Sequence, residues 1–181
     1  MWARPVHNHR RVDFGDTVRE IGMQRLKREG NLVYTCSAAN TPKLVVKPGE
    51  VFQVETELNT GDWLEDLGSS PEGRALRFPY VNPATGPVYV DGAEPGDVLA
   101  VHIRQIELDG LGYTQIVQGC NPFINWVRQE EWGVQFRVVQ IKDGVVHWDD
   151  RLKLPVSPMI GVIGTAPQIE AISNADNGPH G

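Results

Sequence analysis

Hydrolytic chemistry needs an activated nucleophile, a group that stabilises the oxyanion and an acid for the leaving group, and the side chains able to fill these roles are few in this chain. Its two thiols are Cys36 and Cys120. Neither lies in a recognisable nucleophile motif, and free cysteine is among the most often buried residue types, so packing is the simpler role for both. No Gly-x-Ser-x-Gly elbow exists, and Ser157 is confined between Val156 and Pro158. A hydrolytic metal centre would draw about three ligands from His, Asp or Glu. The five histidines are His7, His9, His102, His147 and His180, and none is paired at a helical or zinc-finger spacing. His7 and His9 alternate as strand ligands do, but in a stretch that reads as an arm. His102 shares a strand face with Val98 and Ala100, which places it in the core or at an edge, and His147 follows a turn and reads as exposed. Asp62 and Trp63, within Asn59-Thr60-Gly61-Asp62-Trp63, lie just past a strand end, where a substrate-binding pocket wall and ordinary loop polarity are equally good readings.

The elements that must position these residues are mostly strands. Residues 1–15 show no periodicity and read as an arm. Thr17-Val18-Arg19-Glu20 has the form of a capping box, Val18, Ile21, Arg25 and Leu26 fall on one helical side, and Gly30 is a natural terminator, so one short helix is expected here. The expected division is therefore an N-terminal arm with a possible short helix over 1–30 and a β-rich portion over 31–181. Short β-branched or aromatic runs at 32–35, 44–46, 51–58, 88–90, 98–106, 134–141 and 145–148 predict strands. The fold class expected is mainly β, a sandwich- or barrel-like arrangement of short strands with at most one or two short helices. Asp143-Gly144 between apolar runs predicts a hairpin with a type I′ turn, with Ile141 and Val146 among its buried residues. Glu94-Pro95-Gly96-Asp97 suits a type II turn. Lys47-Pro48-Gly49-Glu50-Val51 echoes Glu94-Pro95-Gly96-Asp97-Val98, although a Pro-Gly-acid run is in any case a good way to start a strand. Residues 64–77, centred on Gly68-Ser69-Ser70-Pro71-Glu72-Gly73, read as an exposed excursion.

Composition narrows the partners. Seventeen Lys and Arg against 23 Asp and Glu give a formal net charge of -6, which disfavours nucleic acid and anionic membrane. The basic run His9-Arg10-Arg11 is too short to change that. Two cysteines are too few for a disulfide framework, so Cys36 and Cys120 are expected to be unbridged in a reducing, cytoplasmic setting. No stretch approaches the ~18 apolar residues that span a bilayer.

Two segments carry a resemblance. Asn82-Pro83-Ala84-Thr85-Gly86-Pro87 leading through Asp91-Gly92-Ala93-Glu94-Pro95-Gly96-Asp97 into Val98-Leu99-Ala100-Val101-His102-Ile103 is one, and Leu154-Pro155-Val156-Ser157-Pro158-Met159-Ile160-Gly161-Val162-Ile163-Gly164-Thr165-Ala166-Pro167 is the other. In this order they resemble the acetamidase/formamidase family. The resemblance covers roughly residues 31–181 and the first half to three-fifths of a family member, whose Asp-, His- and Glu-rich C-terminal portion has no counterpart here. It implies a metal-dependent amidase, with zinc the expected divalent metal and formamide or acetamide the small amide substrate. It also implies His180 as a metal-site residue, because Asn177-Gly178-Pro179-His180-Gly181 resembles the approach to the family's Gly-Asn-Met-Asp segment, and Asn82 as a catalytic residue that orients the substrate amide. Holding its own turn is the alternative for Asn82. A second polypeptide bearing the missing half, in a homo- or hetero-oligomer, is the expected partner. Two other outcomes stay open: a non-catalytic β module on the same scaffold, and a hydrolase of a cyclic amide.

Overall fold

The computed structural model describes residues 22–71, 79–116, 135–167 and 170–175. Among them the chain forms twelve strands and no helix, so the expected mainly β class holds, divided into several small sheets. Four are two-stranded. β1 (Gln24–Leu26) pairs in parallel with β5 (Phe52–Val54), and β4 (Leu44–Val46) in parallel with β7 (Val88–Val90). β2 (Leu32–Val33) pairs antiparallel with β6 (Ala84–Thr85), and β3 (Thr35–Cys36) antiparallel with β12 (Ile172–Ser173). The fifth sheet is antiparallel, in the order β11 (Lys153–Pro155), β10 (Val145–His147), β9 (Gln135–Lys142), β8 (Leu111–Ile116).

The short helix expected ahead of Gly30 is corrected over its second half. Residues 24–26 are a strand, bound residue for residue to 52–54, with Leu26 buried at 4% exposure. Gly22 takes φ 101°, outside the helical region, and a parallel partner satisfies the backbone that a lone helical turn would leave half-bonded. Residues 17–21 lie outside the described residues. Arg25 and Glu55 close the pair on its outer side at 2.7 Å.

The hairpin forms as its turn chemistry predicts. Asp143 and Gly144 both take positive φ, 51° and 72°, the pair a type I′ turn requires, and Val146 opposes Ile141. Ile141 and Val146 are half-buried rather than buried, because β8 and β9 bury Val139 instead. Gly112 on β8 makes room for Ile141, since a Cβ there would come within 3.0 Å of its Cδ1. Past β10 a tight turn is held by Asp149, whose Oδ1 accepts the Leu152 and Arg151 N–H groups at 2.7 and 2.8 Å. Those two bonds, first Leu152 and then Arg151, hold the carboxyl below its usual range. Pro155 is tolerated because β11 is an edge strand.

The two Pro-Gly-acid turns are the same structure. In each, the N–H of the acid bonds the carbonyl three residues back at 3.0 Å, and the acid's carboxylate accepts the N–H of the first residue at 2.9 Å. Gly49 and Gly96 take φ 81° and 101°, the positive value a type II turn demands at its third position. The turns nevertheless lead to different ends. The first runs into β5, whereas residues 98–106, expected to be a strand, join no ladder among the described residues. With no strand alongside among the described residues, Val98 is 94% exposed and Val101 62%.

Candidate functional site

Both sequence-nominated regions, 59–63 and Asn82, belong to one continuous hydrogen-bonded structure. Trp63 turns inward and is 5% exposed. Its ring meets Tyr113 on β8 edge to face at 4.8 Å and Phe136 on β9 at 6.3 Å. These aromatics share one face of the sheet, because Tyr113 opposes Val138 and Gln115 opposes Phe136. The indole N–H donates to Thr60 Oγ1 at 2.8 Å, and Thr60 Oγ1 lies 3.0 Å from the Tyr113 hydroxyl. Tyr113 in turn donates to Asn59 Oδ1. As that amide oxygen only accepts, the protons run in one direction, from Trp63 through Thr60 and Tyr113 to Asn59. Burial, the larger influence, pushes the Tyr113 hydroxyl above its ordinary range, opposed by the Thr60 bond.

Asn59 carries the structure onward. Its carbonyl accepts the Asn82 N–H at 2.7 Å. Asn82 takes φ 52°, a left-handed conformation that Asn tolerates better than most residues. Its Nδ2 donates to the carbonyl of Asn174 at 2.9 Å, while Asn174 Nδ2 donates back to the Asn82 carbonyl at 3.0 Å and to the Val33 carbonyl at 3.0 Å. Asn174, 4% exposed, also donates its backbone N–H to Tyr34 at 2.9 Å and accepts the Cys36 thiol on Oδ1 at 3.7 Å. Cys36 is a free, half-buried thiol whose pKa burial raises, an environment that favours packing over nucleophilic attack.

The candidates thus separate. Asn82 and Trp63 lie in one network through Asn59, and the Asn82 amide reaches a distant segment at Asn174. Asp62 is exposed, whereas the neighbouring Trp63 is buried. His180, Cys120, His7 and His9 lie outside the described residues. His102 is exposed rather than in the core, and its segment joins no ladder among the described residues. His147 on β10 is half-buried, not exposed, since β9 and β11 flank it. Glu94 and Asp97 serve their turn, as their mutual bonds show. The 64–77 excursion is exposed over 65–68 and pinned there by Asp66 and Ser69, ending on a fully buried Pro71. Residues 72–78 lie outside the described residues. Among the described residues no group of three or more His, Cys, Asp or Glu side chains is close enough to hold a metal ion, and no helix is long and apolar enough to cross a membrane. The residues that sequence reasoning missed are Tyr113, which carried no local signal, and Asn174. The signal for Asn174 was an Asn-rich run, which read as an approach to His180 rather than as an anchor.

Known proteins are similar to this chain in sequence and fold. Residues 39–178 match the acetamidase/formamidase family. The chain is 37% identical over 62 residues to a formamidase of Methylophilus methylotrophus, an overlap of 34% of this chain and 15% of that protein. It superposes on the crystal structure of an acetamidase from Bacillus halodurans with a TM-score of 0.75 at 32% identity, over 87% of this chain and 51% of the other. A recombinant predicted acetamidase/formamidase from the thermophile Thermoanaerobacter tengcongensis gives 0.72 at 36% identity over 83% and 48%. An acetamidase from Yersinia enterocolitica gives 0.70 at 26% over 90% and 52%. The chain spans about half the length of these solved relatives, and with most of its own length matched, it belongs to the acetamidase/formamidase family.

Proposed function

We propose that this chain is part of an amidase that cleaves a small linear amide, formamide or acetamide, to a carboxylate and ammonia, and that a second polypeptide supplies the rest of the enzyme. The observation that carries this reading is the family match over residues 39–178. In the reaction, water adds to the amide carbonyl carbon, the C–N bond breaks, and the departing nitrogen takes up a proton to leave as ammonia. Asn82 has the chemistry to orient the substrate. One of its Nδ2 hydrogens is committed to Asn174, which fixes the side chain and leaves Oδ1 to accept an N–H from a substrate amide. Trp63 would form a rigid wall behind that position, and Asp62 a polar rim.

Metal dependence, with zinc first, belongs to the proposal through the resemblance. The described residues offer no ligand set that fits such a centre, so the ligands are proposed to lie elsewhere, with His180 a candidate, and no step is drawn through the metal. The test is to purify the chain alone and co-expressed with the second half of a relative, then measure ammonia release from formamide and acetamide and the bound zinc. Release by the pair and not by the chain alone is expected. Full turnover by the chain alone would remove the second polypeptide from the reading. A well-folded pair that hydrolyses neither amide would favour a non-catalytic β module, or a cyclic-amide hydrolase if a cyclic substrate is cleaved instead.

A further inference from the structure

The twin Pro-Gly-acid turns set a comparison inside the chain. After the first, β5 finds a parallel partner in β1, and Phe52, Gln53 and Val54 are all half-buried. After the second, residues 98–103 have the same apolar richness but join no ladder among the described residues, and Val98, Val101 and Ile103 stand 94%, 62% and 49% exposed. Ile103, at the end of this segment, lines a groove together with Arg104, Gln105, Ile106, Pro158, Met159 and Ile160. Met159 is 75% exposed. A segment that joins no ladder can template another strand, and exposed apolar side chains along it mark an interaction surface.

We infer that residues 98–103 and 158–160 form a docking edge for the polypeptide that supplies the remainder of the family's length, which adds a strand beside 98–103 and covers Val98, Val101, Ile103 and Met159. This rests on the reading of the chain as part of an amidase. That occupant is favoured because the solved relatives carry about as much chain again beyond the superposed portion, 51%, 48% and 52% of each being covered. Backbone bonds along the strand would supply affinity, and the alternate side chains reaching the groove would supply register.

The test co-expresses the chain with the second half of the Bacillus halodurans acetamidase and follows amide hydrogen exchange over 98–106, with the chain alone as reference. Slowed exchange in a co-purifying complex is expected. The double variant Val101→Asp, Ile103→Asp alters two exposed side chains, and unchanged exchange in the Asp143–Gly144 hairpin would show that it folds. It should lose co-purification. A complex that leaves 98–106 exchanging as before, a folded double variant that still co-purifies, or no complex at all would overturn the inference. So would concentration-dependent protection of 98–106 in the chain alone, which would make a second copy the occupant. Ammonia release in the same sample separates the two readings. Hydrolysis with an unprotected edge would refute the docking edge and keep the amidase, while a protected edge without hydrolysis of formamide or acetamide would do the reverse.

Discussion

The 59–63 loop and the 98–103 segment are both stretches outside any ladder, and both carry large apolar side chains, yet their surroundings are opposite. In the loop, Trp63 reaches 5% exposure because every polar atom that its burial drags inward finds a partner: the indole N–H in Thr60, the Thr60 hydroxyl in Tyr113, the Tyr113 hydroxyl in Asn59. In the segment, Val98 brings no polar side-chain atom of its own, but it stays 94% exposed beside a backbone that bonds no neighbouring strand among the described residues. An apolar side chain cannot be buried together with unpaired backbone groups, because an unsatisfied N–H or C=O costs about 1–3 kcal/mol, as much as the burial gains. Hydrogen-bond closure, more than hydrophobicity, decides which of the two regions is finished within the described residues.

The comparison is broken most forcefully at its buried end. Trp63→Ala empties a site enclosed by Tyr113 and Phe136 and leaves Thr60 without its donor, so a loss of about 3–5 kcal/mol is expected. Denaturant titration would measure it. Trp63→Phe keeps most of the packing and loses only the indole bond, and should cost clearly less. Equal costs would mean that the hydrogen bond, not the ring, holds the loop.

Next in size is Asn174. Replacing it by Ala leaves the Val33 and Asn82 carbonyls without the shared amide donor and removes the thiol's acceptor, an expected loss of about 2–4 kcal/mol. Asn82→Gly is the companion, since Gly accepts the φ of 52° without strain and so isolates the lost amide from the backbone conformation. If Asn82→Gly loses stability while the assembled enzyme keeps full ammonia release, Asn82 is an anchor and no more. If stability holds while turnover falls, the orienting role gains its support.

Legibility from residue order divides along the same line. Turns written in local chemistry were visible: Asp143-Gly144, Glu94-Pro95-Gly96-Asp97 and its echo each specify their φ values within four residues. Strand runs were visible where a partner existed, as at 44–46 and 88–90. The reading failed where the deciding partner is distant in sequence. Arg25 and Leu26 fit a helical face, and only residues 52–54 make them a strand. Residues 98–106 had a strand's composition, but composition does not supply a neighbour. Asn174 lies 92 residues from Asn82, and nothing in an Asn-rich run announces such a pairing.

A smaller effect sharpens the finished side through pH. Burial raises the Tyr113 pKa above the ordinary tyrosine value of about 10. The folded state therefore keeps this proton where the unfolded chain has begun to lose it. The stabilisation is intact below about pH 10 and is lost as pH rises through the folded value. Tyr113→Phe should cost about 1 kcal/mol near neutrality, by breaking the chain between Thr60 and Asn59, and should flatten this alkaline decline. Thermal unfolding of both proteins between pH 8 and 11 would show it; parallel declines would mean that other groups set the alkaline limit.

The smallest effect belongs to the open side, and its smallness is the point. Val98→Thr and Met159→Gln change side chains that are 94% and 75% exposed, so each should alter the stability of the isolated chain by no more than about 0.5 kcal/mol. Solubility should respond far more. Exposed apolar side chains on a segment outside any described ladder invite self-association, and polar atoms at these two positions reduce that tendency without touching the Asn59 network. Light scattering on concentrated samples should therefore show less aggregate for the double variant, while its denaturation midpoint stays with the parent's. A midpoint that falls by as much as in Asn174→Ala would mean that Val98 and Met159 are packed in solution, and the contrast between a closed region and an open one would then be lost.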